Sequence, residues 1–160
     1  MKRLSSFIIA VAVFALLTTA TESAAQGFDY ASIEIEVVAA PAALQPGQSG
    51  KLEITIDIPP GYMLSAEDGY LEIVVLEEVP GTAFGELEKP DADVVDQAGG
   101  HYLGEKTLRL PLAVSEEAAA GEREIKLGFK LQVCDMAGLC YLPTDPEDVT
   151  RTASLAVKGE

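Results

Sequence analysis

Polar and apolar residues alternate along most of the chain beyond residue 30. Residues 51–58 read K-L-E-I-T-I-D-I, with Leu52, Ile54, Ile56 and Ile58 on one face and Glu53, Thr55 and Asp57 on the other. Residues 107–114 repeat the pattern with Leu108, Leu110, Leu112 and Val114. Residues 124–133 do so with Ile125, Leu127, Phe129, Leu131 and Val133. A period of two is what half-buried strands of an antiparallel sheet require. Shorter stretches at residues 33–38, 70–76 and 153–157 carry the same signal, and a short strand is expected after Cys140.

Turn formers separate these stretches: Pro46-Gly47, Pro59-Pro60-Gly61, Pro80-Gly81, Gly99-Gly100, Gly121, Pro143 and Pro146. The one helix-like stretch, residues 115–120, is about one turn long and ends at Gly121. Six to eight short strands without helical periodicity predict an all-β fold, an immunoglobulin-like antiparallel β-sandwich. Pro111 falls at an outward position of its strand, so that strand should be an edge or carry a bulge.

The first residues read differently. Lys2 and Arg3 precede an apolar run over residues 7–17, eleven residues long. A membrane-spanning helix needs about 20, whereas the core of a signal peptide needs roughly 7–15. Ser23-Ala24-Ala25 supplies the small residues that a signal peptidase reads, so cleavage is expected after Ala25, with Ala20 as the alternative. The expectation is a signal peptide at 1–25 and one exported domain at 26–160. No cysteine lies near the cleavage point, which argues against a lipid anchor.

Composition narrows the chemistry. With 26 acidic and 11 basic side chains the formal charge is −15, unsuited to a nucleic-acid surface. One histidine and two cysteines cannot close a structural zinc site. Nucleotide-loop and zinc-protease motifs do not occur. The acidic clusters, among them Glu77-Glu78 and Glu116-Glu117, read as solvated faces. His101 reads as a surface residue of a glycine-rich loop, with tuning of a thiolate as its functional alternative. Nothing in the spacing of His101, Met63, Met136 and the cysteines supports a copper site.

The two cysteines remain. Cys134 and Cys140 enclose Asp135-Met136-Ala137-Gly138-Leu139, a segment rich in turn formers, so they belong on facing strands of a hairpin. Facing residues at non-hydrogen-bonded sites have Cα atoms about 4.5 Å apart, close enough for a disulfide. If the odd-numbered residues of 125–133 point inward, Cys134 points outward and its sulfur is accessible. Exported domains mostly use paired cysteines as staples. Closing so short a loop, however, contributes only about 2 kcal/mol, against more than about 4 for a loop of order 100 residues. On these grounds staple and redox pair stand level.

The stretch V-C-D-M-A-G-L-C-Y-L-P, residues 133–143, resembles the active-site hairpin of the amino-terminal domain of the DsbD thiol:disulfide interchange family, whose pattern is C-x-D-A-G-x-C-Y-P-P. Here the aspartate follows Cys134 directly and Leu142 replaces the first proline. Pro60-Gly61-Tyr62 and the L-x-L-P core at residues 108–111 are similar to the family in the same order, so the resemblance covers roughly residues 50–145. It implies an immunoglobulin-like periplasmic domain in which Cys134 and Cys140 carry electrons without a cofactor. It also implies thioredoxin-like proteins or domains as partners, with a membrane electron transporter as a source. Cys140 would form the mixed disulfide and Cys134 would resolve it. Tyr62, Met63, Asp93, Val95, Tyr102, Asp135 and Tyr141 are the implied cap or pocket residues. An ungapped match puts Met63 and Ser65 where the family has two tyrosines, and Asp93, Val94 and Val95 where it has an acidic and aromatic cap; Tyr102, His101 or Phe84 could supply the missing shield. The rival is a non-catalytic immunoglobulin-like exported binding module whose disulfide only clips a hairpin.

Overall fold

The computed structural model describes residues 27–159. The expected signal peptide lies outside the described residues. Alternation builds β1 (Glu34–Ala40), β2 (Ala43–Leu44), β3 (Ser49–Asp57), β4 (Tyr62–Ser65), β5 (Leu71–Val75) and β6 (Thr82–Phe84). They are followed by β7 (Val94–Asp96), β8 (Gly99–Tyr102), β9 (Glu105–Val114), β10 (Gly121–Leu131), β11 (Val133–Asp135) and β12 (Thr150–Val157). Three four-stranded sheets result, in the orders β1-β3-β9-β6, β2-β12-β10-β5 and β11-β4-β8-β7. Every pairing is antiparallel except the parallel contact of β2 with β12. The fold is an immunoglobulin-like β-sandwich, as the alternation predicts.

The inward faces are those read from the sequence. Leu52, Ile54 and Ile56 of β3 and Leu108, Leu110 and Leu112 of β9 meet Ile125, Leu127, Phe129 and Leu131 of β10 and Leu155 of β12 in one buried cluster. Each such side chain contributes about 1.5–3 kcal/mol on burial. Residues 115–120 form no helix; the chain turns there through Ala118 N–H to the Ser115 carbonyl. Pro111 lies inside the first sheet, between β3 and β6. The bulge expected of it sits on the partner side: Phe84 faces Leu112 and Glu88 faces Arg109, so Gly85, Glu86 and Leu87 oppose only Leu110 and Pro111. The Pro111 carbonyl still accepts from Gly85 N–H, and its missing donor falls in the bulge.

One junction positions the cysteines. β10 and β11 are separated by Gln132 alone, yet β10 pairs with β5 and β12 while β11 pairs with β4. The chain changes sheets at that residue. Thr144 holds the junction on the return path: its Oγ1 accepts from Leu131 N–H at 3.0 Å and donates to the Phe129 carbonyl at 2.9 Å.

Candidate functional site

Cys134 and Cys140 form a disulfide with Cα atoms 3.9 Å apart. Asp135 N–H donates to the Leu139 carbonyl and Tyr141 N–H to the Val133 carbonyl, at 2.9 and 2.8 Å. The two cysteines therefore face each other at a non-hydrogen-bonded site, as their spacing predicts. The strand expected after Cys140 is reduced to this single bridge. The turn is drawn in by Asp135, whose Oδ1 accepts from Ala137 N–H and Leu139 N–H, both at 2.9 Å. Gly138 adopts φ 90°, a left-handed value that a glycine meets without strain.

The predicted accessibility of Cys134 is overturned. Cys134 is fully buried, at 0% exposure, whereas Cys140 is exposed. The parity of the strand is as read: Cys134 faces away from Val133 and is absent from the main hydrophobic cluster. Parity identifies a face, but not whether that face is covered. Register puts Leu64, Tyr102 and Val133 on one face of the third sheet and Met63, Ser65, His101 and Cys134 on the other. All seven are buried.

The site gathers most of the residues implied by the sequence. Met63 lies directly across from Cys134 and Tyr62 across from Asp135. Tyr141 packs near Tyr62, with ring centroids 6.4 Å apart. Partial desolvation, then Tyr62 and Asp135, raise the Tyr141 phenol above its ordinary 10.0. Asp93, Val95 and Tyr102 are placed elsewhere. β7 is three strands from β11, about 14 Å at the usual strand spacing. Val95 and Tyr102 line a separate hollow with Glu67, Lys89 and Pro90. Tyr102 donates its hydroxyl to the Pro90 carbonyl at 2.8 Å. Asp93 takes Lys106 Nζ at 2.7 Å and Leu103 N–H at 2.8 Å, contacts that hold its carboxyl below the ordinary value. Phe84 belongs to the first sheet. His101 is no surface loop residue: it is 2% exposed in β8, its Nδ1 3.9 Å from Asp96 Oδ1.

Two residues not foreseen complete the site. Phe28 stacks edge-on against Tyr62 at 4.8 Å and lies 5.7 Å from Tyr141. Tyr30 donates its hydroxyl to the Leu142 carbonyl at 2.7 Å and accepts from Val133 N–H at 3.4 Å. The segment before β1 thus brings two aromatic rings to the hairpin beside Cys140. The F-D-Y spacing directly after the expected cleavage point was its one signal in the sequence. Together with Gly27, Leu139, Cys140, Tyr141 and Leu142, these two aromatics line an open, largely apolar groove of about 580 Å³.

Comparison with known proteins places this hairpin in context. Residues 33–152 match the family described as thiol:disulfide interchange protein DsbD, N-terminal. The chain belongs to this family. Among solved structures, the reduced DsbD amino-terminal domain of Neisseria meningitidis matches at 20% identity, covering 74% of this chain and 82% of that one, with a TM-score of 0.37. A chain of the CaDoc0917–CaCohA2 complex matches at 13% identity, covering 78% of this chain and 100% of that one, with a TM-score of 0.35. No curated protein matches. The DsbD-type hairpin here holds its cysteines as a disulfide with one residue exposed and the other buried.

Proposed function

We propose that this chain is an exported, periplasmic thiol:disulfide interchange domain, residues 26–160 after loss of a signal peptide at 1–25. It passes reducing equivalents through Cys134 and Cys140 to or from thioredoxin-like proteins. The observation that supports this reading is the asymmetry of the pair, since exchange needs one accessible sulfur and a second held within reach. In the reduced protein the Cys140 thiolate attacks one sulfur of a partner disulfide. A mixed disulfide forms and the partner's other sulfur leaves as a thiolate. The Cys134 thiolate then attacks Cys140 Sγ, restores the internal disulfide and releases the partner's second thiolate. Two electrons have moved to the partner. Run in reverse, a dithiol donor, such as a thioredoxin-like domain fed by a membrane electron transporter, recharges the pair. No cofactor takes part.

Burial gives the cysteines different tasks. Cys134, on the β11 arm of the hairpin across from Met63, is buried away from external disulfides and bonded to Cys140. Expressed with its leader in a bacterium, the protein should be recovered from the periplasm with Gln26 as its first residue. The reaction is tested by Cys134→Ala, which should accumulate a mixed disulfide between Cys140 and a thioredoxin-like protein, seen by non-reducing electrophoresis and mass spectrometry. Cys140→Ala should yield none. The reduction potential of the parent should lie above about −300 mV, the bound below which structural disulfides fall. A lower potential with no trapped adduct would leave the disulfide as a clip in a binding module.

A further inference from the structure

We propose that the unpaired backbone groups at Cys140 and Leu142 N–H, with the groove walled by Phe28 and Tyr30, bind the extended chain segment carrying the partner's cysteine and seat an apolar side chain next to that cysteine. This rests on the redox reading above and specifies the substrate of the same site.

The backbone supplies the first argument. Tyr141 N–H and the Leu139 carbonyl are turned to β11 and bonded there. In a planar trans peptide the N–H and C=O are opposed, so Cys140 N–H and the Cys140 carbonyl face away from β11, while the Leu142 carbonyl is taken by the Tyr30 hydroxyl. Among the described residues, Cys140 N–H, the Cys140 carbonyl and Leu142 N–H make no hydrogen bond. Such a row of unpaired groups is a template for one more strand. Here it flanks the exposed cysteine, so a strand added along it brings its own cysteine alongside Cys140.

Side chains supply the second. Leu139 is 62% exposed and Leu142 87%, on either side of Cys140 and Tyr141, and both line the groove with Phe28 and Tyr30. Covering them removes apolar area from water, which favours an apolar residue beside the incoming cysteine. Charge supplies the third. Among the described residues no lysine or arginine lines the groove, while exposed Asp29 stands between Phe28 and Tyr30 on a chain of formal charge −15. A cationic flank on the partner segment is therefore preferred. An apolar, basic peptide strand fits these conditions, and glutathione, a small acidic thiol, does not.

The test uses the reduced parent protein and short peptides whose single cysteine is held in a disulfide with nitrothiobenzoate, the release of which is followed by absorbance. A peptide with leucine and lysine beside the cysteine should react about tenfold faster than one with glycine and glutamate, the discrimination a single well-filled apolar contact provides. Methylating backbone nitrogens beside the peptide's cysteine should slow the preferred peptide severalfold. In Leu142→Ser and Phe28→Ala the ratio between the two peptides should fall towards one. Leu142 is exposed, so its replacement leaves the core intact. Equal rates for the two peptides with the parent, or a preference that both variants retain, overturns the proposal. A parent that releases nitrothiobenzoate from its own small symmetric disulfide but does not discriminate peptides removes this inference alone. A parent that reacts with neither removes the redox reading as well.

Discussion

Asp135 spends one carboxylate oxygen on two backbone donors, Ala137 N–H and Leu139 N–H, and so fixes the turn that brings Cys140 back to Cys134. Removing it leaves both donors to water and frees the turn. Asp135→Ala is expected to lower stability by about 1–2 kcal/mol, the net worth of two such bonds at a partly exposed site, measured by urea unfolding of the oxidised protein. The milder change Asp135→Asn keeps the acceptor and should recover part of the loss. An Asp135→Ala protein as stable as its parent would show that the disulfide alone sets the turn. The role of this residue was legible in the sequence, since an aspartate opening a short turn ending in Gly-Leu is a known way to accept its own backbone. The burial of Cys134 was not legible. Alternation reports the side on which a residue lies, and here Met63, Ser65 and His101 on the side that alternation marks as outward are buried along with Cys134.

Among elements, β10 shows both what pattern reveals and what it conceals. Its alternating Ile125, Leu127, Phe129 and Leu131 predict the strand and its inward face. Gly128 lies at an outward position of that pattern. In the fold it is the point of closest approach: a Cβ there would collide with the Pro146 carbonyl and lie 2.9 Å from Leu76 Cδ2. Gly128→Ala should therefore cost about 1–3 kcal/mol, as overpacking of a fixed backbone does, and show as a lowered unfolding midpoint. An unchanged midpoint would mean that residues 144–149 yield. The short strands were the least legible elements. β2, β6, β7 and β11 have two or three residues each, too few for a period to register. Their pairing comes from the longer strands they border. The cap positions Asp93 and Val95 fell in or beside such a strand, whereas the aromatic rings beside the hairpin are Phe28 and Tyr30.

At the scale of the whole molecule, two surface lysine–aspartate pairs contribute to the response to pH. Lys89 lowers the Asp68 carboxyl and Lys106 lowers that of Asp93, each from an ordinary 3.8. A depressed folded value means that the unfolded chain binds these protons first. The stability contributed is complete above about pH 3.8 and is lost as pH falls through the lower folded values. Both pairs lie at the surface, so the loss should be gradual and reduced by salt. Lys106→Met should flatten the fall in stability between about pH 4 and pH 2 in urea titrations, and a profile parallel to the parent's would exclude Asp93 from it. The overall architecture was the most legible level, because three long strands, β3, β9 and β10, supply nearly half of the buried cluster and alternate cleanly over Leu52–Ile56, Leu108–Val114 and Ile125–Leu131.

The parallel contact between β2 and β12 has a consequence in time. Ala43 lies beside Ala156, and β12 is wedged between β2 and β10, so the second sheet cannot seal until residues from both ends of the domain have met. Contacts so distant in sequence form slowly. The cysteines, six positions apart, meet within a loop that closes on a far shorter timescale. Closing the cysteine loop therefore needs no contact between the two ends of the domain, whereas sealing the second sheet does.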